Sequence, residues 1–371
     1  MTEIYGHCDP AFTQLSEQFS QNLDSGADIG ASLCVMRGDD VVVDIWGGVA
    51  NLRTGKAWER DSILSVFSTT KTMTYLVMLI LRDRGLLDFD APVANYWPEF
   101  AAQGKSNVLV RHVMSHTAGL PGWGEILDPR DLNDWEKCTS LLAQQPTWWT
   151  PGEMSGYHPI TQGFLLGEIC RRITGVTLGT FLRSEISQPL GADFHIGLPE
   201  SEDHRLAEVI PFVDQVVHPE GSTAQRAWGS AQLGADIFRR WFRAAEIPSV
   251  NGIGNARSVA LIQSIVTGRG STQGINFLSE ETVDLVFQTQ HFGFDVVTNF
   301  EFHYGMGYGL NCPGIPMGPR GCGWGGHGGS AIMMDQDSGI TFAYAMNRLV
   351  HFTNDTRADD YYATINRIIG A

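Results

Sequence analysis

The chain has 371 residues, of which 43% are hydrophobic and 18% charged. That describes a folded protein with a large core, not a disordered or fibrous one. The formal net charge of −16 argues against nucleic acid or an anionic membrane surface as a partner. The opening "MTEIYGHCDPAFTQ" lacks the basic and apolar regions of a secretory signal, and the longest apolar run, residues 75–81, is too short to span a bilayer. A soluble cytoplasmic protein is the expectation.

In chain order, "FTQLSEQFSQNLDSG" has helical periodicity and stops at Gly26. "IGASLCVMRGDDVVVDIWGGVA" reads as two strands around a Gly-Asp turn, an antiparallel hairpin. Helical patterns follow over residues 72–84, 110–115 and 160–173, separated by the loops "GLPGWG" and "TPGEMSG". Near the end, "SAIMMD" and "GITFAYAMN" read as strands, and residues 359–369 as a closing helix. Strands at both ends with helices between predict an α/β (α+β) fold: an antiparallel sheet flanked by helices, with an inserted all-helical lobe. The expected division is 1–64 with 205–371 for the α/β lobe and 65–204 for the helical lobe, the active site lying in the cleft between them.

The cysteines Cys8, Cys34, Cys138, Cys170, Cys312 and Cys322 form no CxxC pair, and their spacing suits neither zinc nor a small disulfide scaffold. They read as free thiols, although an even count leaves pairing open.

Three segments carry chemistry. In "FSTTK", Ser68 stands three residues before Lys71 at the mouth of an apolar run. Ser68 would serve as an ordinary N-cap, but a lysine in the first turn fits that reading badly, because a capping box wants Glu or Gln there and the macrodipole disfavours a cation. A lysine made neutral by burial can take a proton from a serine hydroxyl, and positions i and i+3 share a helix face. With only four lysines in the chain, a serine at −3 still arises by chance in roughly one such chain in four, so the spacing alone does not decide. Tyr157, in "TPGEMSGYHPITQGFLLGEICRRITG", lies between a Pro-Gly turn and an apolar helix. A loop tyrosine is usually packing, but a phenol whose pKa falls beside a cation can serve as a general base. In "GCGWGGHGGSAIMMD", the glycines let backbone approach a ligand, and an edge strand would offer N–H groups to an oxyanion. Gly321, Gly323 and Gly326 also match GxGxxG, without the βαβ unit a dinucleotide site needs.

Other motifs fall away. His112 and His116 have helical i, i+4 spacing, but no Glu follows the first to make HExxH. There is no GxSxG elbow, "NLRTGKAW" is no P-loop, and the tryptophans of "PTWWTPGE" read equally as packing or as a substrate mouth.

Six segments in order resemble the serine β-lactamase and penicillin-binding-protein superfamily, and within it the class C β-lactamase-like carboxylesterases called family VIII: "FSTTK", "GLLDFDAPVANYWPEF", "VRHVMSHTAGLPGW", "PGEMSGYHPITQGFLLGEICRRITG", "GWGGHGGSAIMMD" and "FAYAMNR". The resemblance implies a Ser68 nucleophile, Lys71 as its proton partner, and Tyr157 as general base and then acid. It implies Trp324, Gly325 and Gly326 as the substrate-binding third motif, with an oxyanion hole made by the Ser68 and His327 backbone N–H groups. A register on His327-Gly328-Gly329 is the alternative. Two departures matter: Pro159 stands where class C β-lactamases carry an asparagine, and no lysine opens the third motif. Loss of that cation favours a neutral ester over an anionic lactam. The resemblance thus implies a small-molecule ester substrate and an acyl-enzyme, with no metal and no cofactor. An acyltransferase, an amidase, a D-aminopeptidase or a weak β-lactamase would use the same chemistry. A non-catalytic binding or sensor module is the reading from another class. The oligomeric state is not legible.

Overall fold

A computed structural model describes residues 2–212, 218–310 and 317–370. Among them, ten strands form one antiparallel sheet. Its order is Ile4–Cys8, Asp40–Asn51, Gly30–Arg37, Ile340–Met346, Ala331–Asp335, Gly321–Gly325, Gly309–Leu310, Glu301–Tyr304 and His291–Phe294, with Lys56–Ala57 paired to Asp40–Asn51. The two ends of the chain therefore meet mid-sheet, where Ile340–Met346 pairs with Gly30–Arg37.

The central strands are buried on both faces, which is why they read as continuous apolar runs rather than alternating ones. In Gly30–Arg37, Cys34 and Met36 enter one core while Leu33 and Val35 enter the other. The helices Thr13–Ser25 and Arg357–Ile369 belong to the second core, and the helix Ala256–Thr267 packs on the opposite face. Gly26 closes the first helix at φ 77°, and Gly38 turns the hairpin at φ 59°, left-handed conformations that cost a β-carbon residue more.

A second, three-stranded sheet orders Leu64–Phe67, Gly252–Gly254 and Phe194–Ile196. Its first strand runs directly into the helix Thr70–Asp83, whose residues 70–81 are all buried. A helix buried all round belongs at the centre of a domain. This one touches the helices Thr161–Thr174, Leu178–Leu182 and Ala256–Thr267 and the strand Gly321–Gly325.

The hairpin, the helices begun by residues 13, 70, 110 and 161, and the last two strands all match the periodicity. Ile4–Cys8 does not advertise itself, because it is a largely exposed edge strand with no apolar face to pattern. The expected edge strand of the third segment is corrected: Ala331–Asp335 and Gly321–Gly325 are both interior. Among the described residues only Gly309–Leu310 pairs on the far side of Gly321–Gly325, reaching Gly323 and Cys322, so there Trp324 and Gly325 have a ladder on one side alone. Cys8, Cys34, Cys138, Cys170 and Cys322 are free thiols, and Cys312 lies outside the described residues. No helix among the described residues is long and apolar enough to cross a membrane.

Leu76 is fully buried in the central helix. Leu76→Ala is expected to destabilise the fold by about 3 kcal/mol through lost transfer energy and a residual cavity, read by chemical denaturation.

Candidate active site

Ser68 sits in the turn between strand Leu64–Phe67 and helix Thr70–Asp83. Phe67, just before it, has φ 47°, a conformation a phenylalanine adopts only when its surroundings impose it. Thr70 Oγ1 donates to the Phe67 carbonyl and accepts the Gly252 N–H at 2.8 Å, tying the turn to the second sheet. Ser68 is not a side-chain cap: the N-cap position is Thr69, and no side chain caps this helix.

The Ser68 hydroxyl meets the Tyr157 hydroxyl at 2.7 Å across 89 residues of sequence. Lys71 lies beneath them, fully buried. Its Nζ donates to the Pro159 carbonyl at 2.7 Å and the Ser249 carbonyl at 2.9 Å, and lies 4.7 Å from the Tyr157 ring centroid. No carboxylate pairs with it among the described residues. Burial alone drives its pKa well below the ordinary lysine range. A neutral amine has two N–H bonds and a lone pair, and the two carbonyls account for both N–H bonds. The helix spacing brings Lys71 below the serine without a Ser68–Lys71 hydrogen bond. The serine meets the tyrosine hydroxyl, and the lysine faces the tyrosine ring.

The expected lowering of the Tyr157 pKa is corrected. Burial raises it above the ordinary phenol range, reinforced by the charge of Asp295 and opposed by its hydrogen bonds with Ser68 and the Trp324 indole. No contribution from Lys71 stands among the causes of the Tyr157 shift, and burial drives the Lys71 pKa down, toward the neutral amine.

Three consecutive backbone N–H groups fix the Tyr157 segment. Gly156 N–H donates to the His116 carbonyl at 3.0 Å, Tyr157 N–H to Asp295 Oδ1 at 3.0 Å, and His158 N–H to His116 Nδ1 at 3.0 Å. The last bond makes Nδ1 an acceptor, so His116 carries its proton on Nε2, 3.2 Å from the Tyr75 hydroxyl. Burial pushes His116 well below the usual range, and likewise His158 down to about 3. Both are neutral packing groups at neutral pH. His112 lies apart, its Nδ1 accepting the Leu109 N–H at 3.2 Å. No three metal-ligating side chains cluster among the described residues.

The third segment closes the site from the sheet. Trp324 and Gly325 end the strand, and Gly326 is pressed against the Ser68 turn. A β-carbon on Gly326 would overlap the Val66 carbonyl and Ser330 Oγ. Ser330 Oγ donates to the Val66 carbonyl at 2.8 Å and lies 3.0 Å from Thr69 Oγ1. The glycine at this contact is Gly326, beside Val66 and Thr69 on either side of Ser68, whereas Gly329 packs on Asp355 and Arg357. Gly326 N–H is taken by the Ser330 carbonyl at 2.7 Å, but the Ser68 and His327 N–H groups have no acceptor among the described residues. The His327 ring packs against Phe67 and Phe212, and burial there, with His351 nearby, lowers its pKa. Trp324 lies 6.0 Å from the Tyr157 ring and 5.6 Å from that of His116.

Sequence reasoning missed the Pro159 and Ser249 carbonyls, which no side chain announces. It also missed Asp295, whose only local signal is that of a turn-forming aspartate, and assigned His116 no place beside Tyr157.

Ser-x-x-Lys at a core helix, a tyrosine from the helical region and a Gly-rich strand end thus stand together in one candidate site. The chain matches the beta-lactamase family model over residues 15–366 and belongs to that family. It is 33% identical to the esterase/beta-lactamase LipL of Mycobacterium tuberculosis over 94% of this chain and 83% of that protein. Its structure resembles that of a family VIII carboxylesterase, with TM-score 0.93 and 35% identity, covering 99% of this chain and 100% of that one. It also resembles a penicillin-binding-protein homologue from Caulobacter crescentus, with TM-score 0.90 and 33% identity, over 98% and 100% of the two chains.

Gly326→Ala is expected to force the strand end away from the Ser68 turn and to slow labelling of Ser68 by a fluorophosphonate about 100-fold, the scale of a lost oxyanion donor. Intact-mass spectrometry over time reads it.

Proposed function

We propose that the protein is a serine carboxylesterase that hydrolyses neutral small-molecule esters through an acyl-enzyme on Ser68. The observation that carries this is the 2.7 Å contact between Ser68 and Tyr157 above a buried lysine with no carboxylate partner. A standing phenolate is disfavoured, since burial raises the Tyr157 pKa. The proton of Ser68 therefore passes to the Tyr157 oxygen as the phenol proton moves to neutral Lys71. The serine oxygen attacks the ester carbonyl, and the Ser68 and His327 N–H groups hold the oxyanion. The start of a long helix lies behind Ser68 and favours the developing negative charge. Collapse of the intermediate returns a proton through Tyr157 to the departing alcohol. Water repeats the sequence on the acyl-enzyme, releasing the acid and restoring the serine.

Neutral substrates are favoured by charge. Trp324 stands where a lysine would bind a carboxylate, His327 is held toward its neutral form, and the chain carries a net −16. This reading needs neither metal nor cofactor.

Ser68→Ala is expected to abolish hydrolysis of p-nitrophenyl butyrate while the folded state persists. Surviving turnover would sink the mechanism, and a burst of one equivalent followed by a stall would point to an acyltransferase awaiting its acceptor or to a sensor. The pH profile follows from Lys71, whose pKa burial drives well below the ordinary lysine range, so that the neutral amine persists to lower pH than in a free lysine. Activity is expected to hold at and above neutral pH and to fall as acid protonates the lysine. Lys71→Arg, which stays charged, is expected to lose at least about 100-fold in kcat/KM across that range.

A further inference from the structure

Asp295 lies between the strands His291–Phe294 and Glu301–Tyr304 and is fully buried. Its carboxylate has no cation partner among the described residues. Oδ1 accepts the backbone N–H groups of Tyr157 at 3.0 Å, Val297 at 3.0 Å and Thr298 at 2.9 Å, and the Thr298 hydroxyl at 3.2 Å. Oδ2 accepts the Tyr304 hydroxyl at 2.9 Å. The two segments are also joined by the Val296 N–H donating to the Ser155 carbonyl at 3.1 Å. Burying a carboxyl group is costly unless its oxygens are satisfied, and five donors satisfy them here. Turn formation alone accounts for the bonds from Val297 and Thr298. It does not account for a bond to the N–H of Tyr157, 138 residues away.

We propose that Asp295 is a positioning residue for the acid step of the reaction, holding the Tyr157 main chain so that the phenol stays aligned on both Ser68 and the departing alcohol. The inference rests on the esterase reading. Tyr157 reaches the site from an extended loop before its helix, and a phenol hinged on such a loop swings through ångströms for small changes at its Cα. The carboxylate and His116 fix that Cα from both sides by taking three successive N–H groups. Proton transfer depends steeply on such alignment.

The consequence is a dependence on the leaving group. An alkoxide leaves only with a proton from Tyr157, whereas p-nitrophenolate leaves unassisted. Misalignment of the phenol should therefore harm alkyl esters more than aryl esters. A merely structural role would lower the fraction of competent enzyme and harm both equally.

The test is kcat/KM for ethyl butyrate and p-nitrophenyl butyrate in wild type, Asp295→Ser and Asp295→Asn, with active sites counted by fluorophosphonate labelling. Serine can cap the 295–298 turn with its hydroxyl but falls short of the Tyr157 N–H. Asparagine keeps an acceptor for that N–H and presents its amide to Tyr304. Per active site, Asp295→Ser is expected to lose about 100-fold on the aryl ester and about 1,000-fold on the ethyl ester, within the range that acid–base groups supply. Asp295→Asn is expected to stay within about tenfold of wild type on both, the cost of exchanging a charged acceptor for a neutral one. Equal losses on the two esters, or full activity of Asp295→Ser, would overturn the proposal and leave the esterase reading intact. Wild type inert on both esters, or turnover by Ser68→Ala, would remove the esterase reading and this inference with it.

Discussion

The constraint on which the site depends is the burial of a lysine among carbonyls. A cation at the start of a buried helix, with no carboxylate to meet it, is unstable on three counts: desolvation, the helix dipole and the lack of a counter-ion. Burial shifts the amine toward its neutral form. The Pro159 and Ser249 carbonyls accept its N–H bonds, so that form is solvated by protein. A carboxylate in place of either carbonyl would favour the charged form instead. The absence of a side-chain amide at Pro159 thus has a counterpart, since the main chain at that position supports the lysine directly.

Above the lysine stands one tyrosine in contact with Ser68, and much of the surrounding packing holds that tyrosine in place. His116, Asp295 and Trp324 each touch it by a different means: a main-chain bond and a ring face, a carboxylate, and an indole. All three come from distant parts of the chain. The site is rigid where proton transfer requires alignment. Its glycines lie where the sheet must approach the serine, and at Gly326 no other residue fits against the Val66 carbonyl.

Neutrality is a second theme. The inner site joins a lysine and histidines that burial shifts toward their neutral forms with buried phenols, inside a protein of strongly negative net charge.

The sequence by itself determined the elements whose pattern is set by burial on one or both faces: the first hairpin, the central helix, the last strands and the closing helix. It also determined that Ser68 and Lys71 share one helix start, because that follows from the fixed rise and turn of an α-helix. Order along the chain was enough to nominate Tyr157 and the strand end at Trp324. Only the tertiary structure decided how these act together. The direction of the Tyr157 pKa was misjudged because it depends on whether Lys71 is charged, and that depends on which atoms fill the space around it. Asp295 and the Ser249 carbonyl were invisible because a carboxylate in a turn and a carbonyl in a loop look like hundreds of others until folding brings them against the tyrosine and the lysine. Local spacing can set which residues are neighbours on a helix; desolvation and long-range hydrogen bonding belong to the assembled core.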